Sequence, residues 1–127
     1  MSASLAVQQL VVGALADLPG ISGVFDGPAP DAAPPYLTVG ADVVTDWSHK
    51  SGVGHEHRLT VNVWDAGPGV AGAKRLAGAV EVRLAGLNGE ALGHRIVSAL
   101  LLRSLVLGDA EGWSRGIVDF RIRSVAV

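Results

Sequence analysis

The 127-residue chain contains no cysteine. That excludes disulfide staples, thiolate metal sites and thiol nucleophiles, and it fits a reducing compartment. Charge is scarce as well: only 17% of residues are Asp, Glu, Lys or Arg. A monomer that must wet its whole surface normally carries more, so part of this surface is expected to be covered by other subunits. No cationic excess exists, since ten basic against twelve acidic residues leave a formal charge of −2. Neutralising phosphates along nucleic acid is therefore not expected to be its main task. Unbroken apolar runs are missing too. The opening segment MSASLAVQQLVVGALADL has no basic n-region and is interrupted by Gln8, Gln9 and Asp17, so it reads neither as a signal peptide nor as a membrane span. The expectation is a soluble intracellular protein with no membrane partner.

What the chain does have is a core. Apolar residues make up 49% and mean hydropathy is +0.38, enough to fold as one domain over residues 1–127 and to bury about two-thirds of the unfolded surface. Between residues 4 and 18, Val7, Val11, Ala14, Leu15 and Leu18 recur at helical spacing, with Ser2 or Ser4 as cap and LPG at 18–20 as stop. GVF at 23–25 fits a short strand, and the proline-rich DGPAPDAAPP that follows fits an extended loop.

Two stretches then alternate with a period of two. In 36–47, Leu37, Val39, Ala41 and Val43 share one face, and in 57–64 Leu59, Val61 and Val63 do the same. With the glycines of SHKSGVG between them, 36–64 reads as one long β-hairpin whose end, about 45–57, projects as an arm. A second helix is expected at about 69–86, with Leu76, Ala77, Val80, Leu84 and Leu87 inward. HRIVSALLLRSLVL at 94–107 has no clean period and reads as a strand apolar on both faces, with a helix as the competing reading. Residues 117–125 alternate again, Val118, Phe120 and Ile122 against Asp119, Arg121 and Arg123. The fold class that results is α+β, a two-layer sandwich with an antiparallel sheet of two long hairpins packed on two helices.

The segment TDWSHKSGVGHEHRLTVNVWD, Thr45 to Asp65, holds three of the four histidines. His55 and His57 would share a strand face, a geometry zinc can use. A third ligand is not in view: there is no HExxH and no carboxylate cluster, so no metal is expected. Asp46, Ser48 and His49 are neighbours in sequence without the third-group orientation a triad needs, and GVGHEH lacks the Lys-Ser/Thr of a phosphate loop. His94 opens a strand, where a structural histidine is the default. No catalytic residue, cofactor site or metal site is expected. The tryptophans weigh differently. Trp64 falls on the polar face of its strand and Trp113 in a turn, where large aromatics serve as a second packing layer or as interface anchors.

Taken in order, the pieces VFDGPAPDAAPPYLTVGADVVTDWSHKSGVGHEHRLTVNVWD, an Ala-rich helix, LNGEALGHRIVSALLLRS and GIVDFRIRSV form a pattern that resembles a family of small phage proteins. These are the tail-completion or tail-terminator proteins of long-tailed phages and phage-like gene transfer agents. Pro35-Tyr36, Asp46-Trp47, EHRLTVNVW and Gly93-His94-Arg95 carry most of the likeness, which extends over roughly 21–126. It implies a structural protein forming a homo-oligomeric, six-membered ring that caps the tail tube, with the tube protein on one side and a head-side connector or stopper on the other. DNA would be a partner only in transit through the lumen. The protein would assemble in the bacterial host cytoplasm and end at the head-proximal end of the tail. It implies no catalytic residues. The interface candidates are then Tyr36, Asp46, Trp47, His49, Lys50, His55, His57, Trp64 and Trp113. Alternative functions are a head–tail connector or tail-tube protein of the same particle, or a cytosolic small-molecule-binding α+β module.

Overall fold

The computed structural model describes residues 2–29 and 31–127. Along the chain come α1 (Ala3–Leu15), β1 (Val24–Phe25), β2 (Tyr36–Asp46), β3 (Gly54–Ala66), α2 (Ala71–Ala85), β4 (Glu90–Ala91), β5 (His94–Gly108) and β6 (Trp113–Ala126). The strands form one sheet in the order β1-β2-β3-β6-β5-β4. Every pairing is antiparallel except that of β1 with β2. The two long hairpins are thus zipped together through β3 and β6, whose pairing runs unbroken from Gly54↔Val125 to Ala66↔Trp113.

Both helices cover one face. Val7, Val11 and Leu15 of α1 and Ala77, Val80 and Leu84 of α2 meet Leu37, Val39, Leu59, Val61, Val63, Val118, Phe120 and Ile122 of the sheet in a single core. Ser2 Oγ accepts a hydrogen bond from the Leu5 backbone and starts α1. Small residues let α2 sit close to the strands: a Cβ on Gly116 would lie 3.1 Å from Val63 Cβ and 3.6 Å from that of Ala77. Arg83, in the last turn of α2 where a cation favours the helix dipole, donates to Ala14 O at 3.1 Å and pairs with Asp17. That contact ties the C-terminal ends of the two helices together. No described helix is long and apolar enough to cross a membrane.

Two features depart from the sequence reading, and one ambiguity in it is resolved. In β2 the alternation does not continue through Ala41 and Val43, because the register shifts between Val39 and Asp42. The bulge adds a residue and reverses the faces. Asp42 now points to the helix side, where Ser4 Oγ donates to its carboxylate at 2.5 Å, and Val43 lies on the open face at 58% exposure. Gly40 permits this, since a Cβ there would stand 2.9 Å from Asn62 Nδ2. The ambiguity lay at 94–107, which is strand throughout, as read, and not the competing helix; it extends to Gly108. Its missing period has two causes: bulges at Ile96/Ser98 and Leu101/Arg103 reset the parity, and residues beyond the helix layer are half-exposed on either face. Finally, the segment after α2 holds a small hairpin, β4–β5, turned by Leu92 and Gly93 with φ of 50° and 78°. Positive φ at both central residues is the two-residue turn that matches strand twist.

Candidate functional site

The parity of β6 sorts the side chains. Its even residues face the helices and its odd residues face away, so every residue directly opposite an odd position shares the open face. Six of the eight arginines gather there: Arg58, Arg95, Arg103, Arg115, Arg121 and Arg123. Among the described strand residues only Glu56, Glu90 and Asp119 accompany them, so this face is net positive on a chain of net charge −2. Arg58 stands directly opposite Arg121, a like-charge juxtaposition that costs stability. The acids offset part of it: Glu56 lies 3.1 Å from Arg123 and 3.9 Å from Arg121. Asp119 accepts from Arg103 Nε at 2.6 Å and from Thr60 at 2.5 Å. Partial burial pushes the Asp119 carboxyl up, but those two hydrogen bonds and the Arg103 charge outweigh it and hold the group below its ordinary value.

At one end of this face Tyr36 stacks on Trp64 with ring centres 6.4 Å apart, Phe25 meets Tyr36 edge-on, and the Arg115 guanidinium lies 4.9 Å over Trp64. Trp64 Nε1 donates to Thr38 Oγ1 at 3.0 Å. Trp64 and Tyr36 are thus a packed second layer on the sheet, bordered by the Gly27–Ala29 loop. Trp113 stands apart at the start of β6 and is 37% exposed.

The β2–β3 hairpin ends at the opposite edge of the face. The Trp47 and His49 amides donate to the carbonyls of Gly54 and Gly52, leaving Lys50 and Ser51 as a tight turn. Ser48 Oγ donates to Asp46 at 2.6 Å and accepts from the Gly54 amide. The Trp47 and His49 rings meet T-shaped with centres 4.6 Å apart, and Arg123 lies 4.9 Å over the Trp47 indole. These contacts set Asp46, Ser48 and His49 apart from a nucleophile–base arrangement, because the carboxylate bonds the serine and the imidazole rests on a tryptophan. β6 runs beside β3 as far as Gly54, and Ala126 donates to Val53 O. The residues extending past this support are 47–52.

His55 and His57 do not join His49. They turn to the helix side, where His55 meets His94 with ring centres 5.9 Å apart. His57 is fully buried within the chain. Its Nε2 lies 2.9 Å from Ser124 Oγ, and its Nδ1 lies 3.6 Å from Asp42, too far for a hydrogen bond. Among the described residues no three His, Asp or Glu side chains are placed to hold a metal ion. The inward turn of His57 follows from the parity it shares with Leu59, Val61 and Val63, which was readable in the sequence. The approach of His94 was not, because it depends on pairing between distant strands.

The model of the family described as "Tail completion protein gp17" matches residues 2–124. Among solved structures, a chain of "Virion of native gene transfer agent (GTA) particle" superposes with a TM-score of 0.74 and 27% sequence identity, covering 98% of this chain and 96% of that one. No curated protein matches.

Proposed function

Since the chain belongs to the tail completion protein gp17 family and is a structural protein of a phage-like particle tail, we propose that it is the tail terminator. Copies form a closed ring, six-membered as the family likeness suggests, on the head-proximal end of the tail tube. The ring stops tube polymerisation and presents its other side to a head-side connector. The observation that carries this reading is the family match over 2–124, which takes in both helices and almost the entire sheet. The likeness to a chain of a gene transfer agent virion supports it at the level of whole particles. The protein acts here as an assembly part and not as an enzyme, and DNA passes it only in transit.

A ring of identical subunits uses a heterologous interface, one patch against a different patch on the next copy. The low charge content and the half-exposed apolar strand β5 suit such burial. In this reading Trp47, His49 and Lys50 at the hairpin end, with Trp113 at the other, are contacts to neighbours in the particle, while Tyr36 and Trp64 shape the face between them.

The test is deletion of the gene followed by electron microscopy of the particles, together with a reconstruction of wild-type tails. Expected are tails of uncontrolled length or tails not joined to filled heads, and a single ring of this chain at the head-proximal end. Normal joined particles after deletion, or copies distributed along the whole tube, would refute the terminator role; the second pattern is that of a tube protein.

A further inference from the structure

The four long strands leave both borders of the sheet open. On one side β1 pairs with Leu37 and Thr38, so among the described residues β2 from Val39 to Asp46 has β3 as its single neighbour. On the other side β4 reaches only His94 and Arg95, and the backbone of Ile96 bonds Gly89. From Val97 to Gly108, β5 has β6 alone among the described residues. A long edge usually carries lysines, proline or an inward charge that discourages pairing. This one reads VSALLLRSLVLG. Its single charge, Arg103, is held over the open face by Asp119. Val97, Leu100, Leu101, Leu102, Leu105 and Leu107 are all large, apolar and exposed.

The two borders also match each other. Following direct partners across the sheet, Val43–Arg58–Arg121–Leu100 forms one row and Thr45–Glu56–Arg123–Ser98 the next on the same face. Between them Val44–His57–Ile122–Ala99 lies on the helix side. The open part of β2 therefore begins the same rows that the open part of β5 ends. Three antiparallel steps separate the two strands, so they run in opposite directions. A second copy related by rotation alone, with its β2 set on the same rows, would lie antiparallel to β5 and in level. Absence of translation is the condition for a ring to close instead of growing as a helix. In that placement Val43, 58% exposed, meets Leu100, 48% exposed, as a cross-strand apolar pair.

We infer that the ring closes by strand addition: the free β5 edge of each copy pairs antiparallel with the free β2 edge (39–46) of the next, continuing one sheet around the ring. This rests on the terminator reading for the existence of the ring and adds which surfaces form it. The occupant of the β5 edge is a second copy of this chain.

The absence of native cysteine makes disulfide trapping clean. Val43→Cys/Leu100→Cys and, one row on, Thr45→Cys/Ser98→Cys are introduced into particles, with each single variant as control, and the oxidised particles are run without reductant. Folding is checked by circular dichroism, and the polar, solvent-side Thr45/Ser98 pair serves if the apolar pair perturbs the strands. Expected is a ladder of cross-linked oligomers ending at the ring number, from the double variants only. Dimers from Leu100→Cys alone would show β5 pairing with itself about a two-fold and overturn the inference. So would capped, joined particles in which neither folded double variant cross-links, and that result leaves the terminator reading intact. Particles with no ring of this chain at the tail end would remove the reading itself.

Discussion

Gly54 begins β3 at the point where β2, β3 and β6 converge, and it is the residue whose change should separate a built-in hairpin end from a loose one. A Cβ there would lie 2.6 Å from the Trp47 carbonyl oxygen, 3.1 Å from the Trp47 ring and 3.2 Å from the Ser124 carbonyl oxygen. Two of the three neighbours are backbone atoms, and Ser124 sits on β6 between β3 and β5, so the clash cannot be relieved by a rotamer change. Gly54→Ala must push the strands apart, an overpacking cost of about 1–3 kcal/mol. The displacement also strains the Trp47 N–Gly54 O bond of 2.9 Å and the Gly54 N–Ser48 Oγ bond of 3.1 Å, each worth about 0.5–1.5 kcal/mol. A loss of roughly 2–4 kcal/mol follows. With a urea m-value of about 1.5 kcal/mol per M the midpoint should fall by about 1–3 M. Gly52→Ala is the matched control, two residues away. Nothing stands within 4 Å of its added Cβ, and its φ lies outside the left-handed region, so its midpoint should stay at wild type or rise slightly. Equal midpoints for the two variants would refute the reasoning and show the hairpin end to be free of the sheet.

Phe120→Ala empties a fully buried site at the centre of the core and should cost about 3–5 kcal/mol in urea unfolding. Ser124→Ala removes the partner of buried His57 Nε2 and should cost about 1–3 kcal/mol; Ser124→Thr, which keeps the hydroxyl, should recover part of it. Asp119 has its folded-state pKa depressed, so the stabilisation it confers is complete above the unfolded value of about 3.9 and is lost as pH falls through the folded one. Asp119→Asn should therefore be less stable than wild type at pH 7, with the gap closing on acidification below about pH 4, measured as the thermal midpoint against pH.

Much of this protein is legible in the order of its residues. The stripes at Val7, Val11 and Leu15 and at Ala77, Val80 and Leu84 place two helices on one side of a sheet. The alternation of Leu59, Val61 and Val63 and of Val118, Phe120 and Ile122 gives its two central strands. These are local periodicities, and the hydrophobic effect acts on them whatever the neighbours are. The family likeness is likewise a property of the ordered pieces, and the match over 2–124 agrees with it. Only the tertiary structure decides the faces after Val39, since the bulge that turns Asp42 toward Ser4 depends on an acceptor-bearing strand meeting a helix 38 residues distant in sequence. It alone brings His55 against His94 and buries His57 with Ser124, because those contacts are made across strands. The gathering of six arginines on one face and the open borders at β2 and β5 have the same origin. Charge segregation and unpaired backbone are consequences of which strands become neighbours, and register between distant segments is set by packing, not by any single stretch of sequence.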